Sequence, residues 1–154
     1  MTRRSVSLLG LVACSALHGA AALVVPLSGW TPIAGDASRW QDAGGACLIR
    51  EDRYGQAFPQ LSTQSQATAT TNRLRASLLA RGLSEVVTQP VERQGGGWAV
   101  LAAYGYHEGG VTYRVSQLFT SQSGILRTVS GSSALNNTST CAAAMREFIR
   151  YSAN

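Results

Sequence analysis

His107 is the only histidine outside the apolar N-terminal run, so a Ser–His–Asp hydrolytic site would have to be built on it. Serine is plentiful, but no G-x-S-x-G elbow is present to present one as a nucleophile. His107 also adjoins Glu108-Gly109-Gly110, a tight-turn signature, and the expected state is an exposed hairpin imidazole. A zinc site would have to gather His107, Cys47 and Cys141 without C-x-x-C or H-E-x-x-H spacing, so no metal is expected. Glu51 and Asp52 are neighbours on a strand and point to opposite faces, which makes a poor acid–base pair. All 13 basic residues are arginine, and the absence of lysine excludes Schiff-base, P-loop and lysine-base chemistry. Gly95-Gly96-Gly97 has no helix after it to cradle a phosphate. No catalytic residue and no cofactor is expected.

The cysteines carry more. Met1 to Leu27 reads as two arginines (Arg3, Arg4), then an apolar run from Val6 onward, then small residues, which is the pattern of a bacterial export signal over 1–22. Three fates stay open. Cleavage can follow Ala20-Ala21-Ala22; Leu11-Val12-Ala13-Cys14 can act as a lipobox with Cys14 lipidated; or the segment Ser5 to Ser28 can stay as an uncut anchor. All three export the domain, to the periplasm or as an outer-membrane lipoprotein. In an oxidising compartment Cys47 and Cys141 form the natural pair, 94 residues apart; two buried free thiols are the alternative. Removing 1–22 leaves 11 arginines against 8 acids, a net of +3, dispersed with no run of three, so no nucleic-acid partner is expected.

These residues need elements to hold them. The stretch 23–46, with Pro26, Pro32 and four glycines, reads as an irregular entry segment, with a short helix suggested over Ala37 to Gln41; a single domain then fills 47–154. Cys47 to Arg50 opens a strand. The spacing of Ala67, Thr71, Leu74 and Leu78 predicts a helix over Ser62 to Arg81, capped by Ser62/Thr63 and closed by Gly82. Beyond it the period shortens to two. Glu85 to Glu92 contains Pro90 and belongs at a sheet edge. Trp98 to His107, Val111 to Thr120 and Ile125 to Ser132 follow as a meander. A last helix over Thr138 to Ser152 turns Cys141, Met145 and Phe148 to the core, where Cys141 can meet Cys47. The result is an α+β fold: an antiparallel sheet of four to six strands with helices packed on one face.

The candidate partner-binding residues are aromatic. Trp98, Tyr104, Tyr106 and Tyr113 lie on neighbouring strands and form either the core face under the helices or a recognition patch, flanked by Arg114 and Arg127. From Leu78-Leu79-Ala80-Arg81-Gly82-Leu83, through Val111-Thr112-Tyr113-Arg114-Val115 and Ile125 to Gly131, to Met145-Arg146-Glu147-Phe148-Ile149, the C-terminal half resembles the PsbP/DcrB-like small exported α+β domains. That resemblance implies an accessory or binding role and transfers no functional residue. The leading expectation is an exported, non-catalytic envelope protein that binds a protein partner as an accessory or assembly factor. A periplasmic inhibitor or immunity protein and a small hydrolase using His107 are the alternatives.

Overall fold

A computed structural model describes residues 22–154. The lipobox, Cys14 and nearly all of the export signal lie outside the described residues. Nine elements follow in order: β1 (Trp30–Ile33), β2 (Asp36–Asp42), β3 (Cys47–Ala57), α1 (Gln64–Ala80), β4 (Ser84–Glu92), β5 (Trp98–Glu108), β6 (Val111–Gln122), β7 (Ile125–Ala134) and α2 (Cys141–Tyr151). All seven strands join one antiparallel sheet in the order β1-β2-β3-β7-β6-β5-β4.

Local chemistry accounts for most boundaries. The Thr63 hydroxyl accepts from the Gln66 amide while the Gln66 side chain accepts from the Thr63 amide, a complete capping box at the head of α1. At its tail Gly82 takes a left-handed φ of +78°, and the amides of Gly82 and Leu83 donate to the carbonyls of Leu79 and Leu78. β4 lies at the sheet edge, where Pro90 costs no essential ladder bond. Ahead of α2, Asn137 Oδ1 accepts from the Ser139 amide and Ser139 Oγ from the Cys141 amide, while the N-cap residue Thr140 makes no side-chain cap bond.

The expectations about the sheet are corrected. The chain is mostly β rather than the expected α+β, with seven strands instead of four to six beside two helices, and those helices do not share a face. Register and alternation place Val100, Ala102, Phe119 and Leu126 on one face, packed with Ala67 and Leu78 of α1. Ile49, Ala99, Leu118 and Val129 turn to the other, packed with Cys141, Met145 and Ile149 of α2. β5 is therefore apolar on both sides. The unbroken run from Trp98 to Tyr104, small alanines included, is the signature of a strand covered on both faces. The two extra strands come from the segment read as irregular. Ala37 to Gln41 is strand, inside β2, and Gly35 with φ +79° makes the turn from β1.

The apolar N-terminal run is divided by the fold. Leu23 and Val25 are buried in the α2-side core, and the Trp40 indole N–H donates to the Leu23 carbonyl at 3.2 Å. A bilayer span taking in all of Ser5 to Ser28 would remove those two side chains from this core. Among the described residues no helix is long and apolar enough to cross a membrane.

Candidate functional site

The strongest of the sequence-derived pairings is realised. Cys47, at the first position of β3, and Cys141, at the first of α2, form a disulfide with Cα atoms 6.1 Å apart. Both are buried in the α2-side core. Asn137 Nδ2 lies over both sulfurs, and Asp42 Oδ1 accepts the Cys47 amide at 2.7 Å. Asp42 with the two cysteine sulfurs is the one grouping of metal-type ligands among the described residues. The disulfide occupies both thiols, and Asp42 already closes the β2–β3 turn through the amides of Gly44 and Cys47. His107 is remote from this group: it is exposed on the β5–β6 hairpin, with Thr112 Oγ1 3.2 Å from its Nδ1.

The aromatic residues divide. Trp98 and Tyr104 pack half-buried against the α1-side core. The Tyr104 hydroxyl donates to Gln117 Oε1 at 2.9 Å; burial pushes that phenol above the ordinary tyrosine range, helped by Tyr106 and Tyr54 and opposed by Arg81. Tyr106 and Tyr113 are directly cross-strand partners, stacked with centroids 5.1 Å apart and planes 17° from parallel. Both stay half-exposed, at the end of β5–β6 where α1 has already stopped. Burial, then the charge of Glu108, raises the Tyr106 hydroxyl as well. Tyr54 of β3, 40% exposed, and Arg81 at the C-cap of α1 stand within electrostatic reach of Tyr104. Sequence reasoning missed both, because only the folded sheet brings β3 and the end of α1 to β5.

The flanking arginines are not where the aromatic patch needs them. Arg114 pairs across from Gly105, so it projects from the face opposite Tyr104, Tyr106 and Tyr113, and it meets Glu85 of the edge strand. Arg127 shares the α2 side with Val129 and binds Glu51 through two nitrogens at 3.1 and 3.2 Å. Arg53 reaches the same carboxylate at 2.6 Å. Glu51 is only 7% exposed. Burial drives its carboxyl up, but the bonds from Arg127 and Arg53 outweigh that and hold it below the ordinary value. Asp52, pointing the other way as expected, pairs with Arg50.

No family model and no curated protein matches the chain. Among solved structures it is similar to PA94, a protein of unknown function from Pseudomonas aeruginosa. The identity is 13% and the TM-score 0.43, over 66% of this chain and 79% of that one, a likeness too loose to carry an argument about fold or function.

Proposed function

We propose that this chain is an exported, non-catalytic envelope protein that recognises a protein partner, as an accessory or assembly factor, through the tyrosine face of β5 and β6. The observation that carries the reading is the Tyr106–Tyr113 stack, half-exposed beyond the end of α1. Paired aromatic rings with free hydroxyls are the residue type enriched at the centre of protein interfaces. Arg81, at the C-cap of α1, is near enough to Tyr104 on the same strand face to lend that region a positive charge. The Cys47–Cys141 bridge supports an oxidising destination, since structural disulfides persist chiefly outside the cytosol. Among the described residues the core includes Leu23, just after the small-residue cluster Ala20-Ala21-Ala22, which is compatible with cleavage there or lipidation of Cys14.

Intact mass of the protein from periplasm and from membranes tests the export half. A chain starting between Cys14 and Leu23, with the 2 Da deficit of one disulfide, is expected; an uncut, fully reduced chain overturns it. A photo-crosslinking residue at position 106, against a control at position 130, tests the recognition half. A discrete adduct formed at 106 and not at 130 is expected, and equal labelling at both sites overturns the tyrosine face as the interface.

A further inference from the structure

α2 covers β3, β7 and β6, while α1 covers β4 and β5 from the opposite side. The α2-side surface of β4 and β5 is therefore left without a helix. A groove of about 540 Å³ runs there between α2 and the sheet edge. Its floor is formed by Val87, Leu101 and Ala103 with the polar Gln89 and Ser116 between them, Val87 being 62% exposed, and its α2 wall carries Arg146, Arg150 and Tyr151. Arg146 and Arg150 stand one helical turn apart, so both guanidinium groups border the same length of floor. Among the described residues the ion pairs are made by Arg39, Arg50, Arg53, Arg114 and Arg127, and none by these two. Glu147 also borders the groove, leaving its wall with one net positive charge.

We infer that this groove binds a long-chain carboxylate, its alkyl chain on the Val87–Leu101–Ala103 floor and its head group between Arg146 and Arg150. The volume lies in the range of small-ligand sites and is small for a protein partner. An apolar strip of floor bordered by two planar guanidinium groups that make no ion pair among the described residues complements an amphiphile with one alkyl chain and one carboxylate, which arginine can bind through two parallel hydrogen bonds. The site lies on the face opposite the tyrosines and does not depend on the proposed partner binding.

The test uses the chain as purified from cells with its disulfide intact, and dodecanoate below its micelle concentration as the probe. Calorimetry should show saturable one-to-one binding, with amide shifts concentrated at Val87, Leu101 and Ala103. Affinity should rise about two- to fourfold per methylene through octanoate, decanoate and dodecanoate. The double substitution Arg146→Gln with Arg150→Gln changes only exposed side chains; it should weaken dodecanoate about tenfold and leave the neutral dodecyl maltoside unaffected. Ala103→Phe, which fills the floor, should abolish binding of both. Absence of saturable binding, equal affinity in the double variant, or binding of lysophosphatidylglycerol in place of dodecanoate would overturn the assignment.

Discussion

Glu51 illustrates how a single side chain acquires its role from its neighbours. It is a buried carboxylate held by two arginines, one two residues away and one on the adjacent strand β7. Glu51→Gln keeps the shape and removes the negative charge that Arg53 and Arg127 face. The expected cost near neutral pH is about 2 kcal/mol, less than the roughly 3–5 of a fully buried pair. The discount arises because Arg53 and Arg127 keep 35% and 24% of their side chains exposed. The sign with pH follows from the direction of the shift. A carboxyl held below the ordinary value of 4.5 stabilises fully above it, and that contribution drains away as the pH falls through the folded value. In urea melts the gap between wild type and Glu51→Gln should therefore narrow steadily as the pH is lowered from 7 into the acid range. A gap that stays the same across that range would refute this account.

At the scale of elements, the docking of α2 on β7 depends on a missing side chain. A Cβ on Gly131 would lie 2.5 Å from Cγ and 2.7 Å from Sδ of Met145, itself 2% exposed. Gly131→Ala should cost about 1–3 kcal/mol by overpacking, and combining it with Met145→Ala should be clearly less than additive. Full additivity in a double-mutant cycle would mean that the two do not touch. The sequence marks this strand and this helix separately but not their contact, because the 3.6 and 2.0 periods report which face is apolar and not what covers it. The same limit explains the arginines. Alternation along β6 sets Arg114 apart from Tyr113, yet only the register with β5 and β4 shows it reaching Glu85 on the far side.

For the described residues as a whole, two features tie distant segments into one core. The Cys47–Cys141 bridge closes a loop of 94 residues, enough in the chain-entropy view for about 4–5 kcal/mol. Replacing both cysteines by serine should lower the denaturant midpoint by the equivalent of about 2–4 kcal/mol while keeping the fold. A melt unchanged by reduction would show that α2 holds to the sheet without the bridge. In the second, Leu23 and Val25 are buried beside Trp30 and Ile49. A chain beginning at Ser28 should lose about 3–5 kcal/mol relative to one beginning at Leu23. Equal thermal midpoints for the two would mean that the N-terminal segment is not part of the core.

Strong local signals were sufficient for the helices, the caps of α1, the edge position of β4 and the hairpins β5 to β7. Each rests on chemistry confined to a few neighbouring residues: a capping box, a left-handed glycine, an imide nitrogen, a two-residue period. Weak local signals were not. β1 has four residues with a proline among them, and β2 alternates only partly buried side chains, so neither announces itself until β3 pairs with β2 and β2 in turn with β1. Tertiary structure alone decided that the helices cover opposite faces, that Trp98 and Tyr104 join the core while Tyr106 and Tyr113 stay open, and that an apolar groove is left beside α2. Those outcomes depend on which surface meets which, a property of strand register and helix crossing that no single segment encodes.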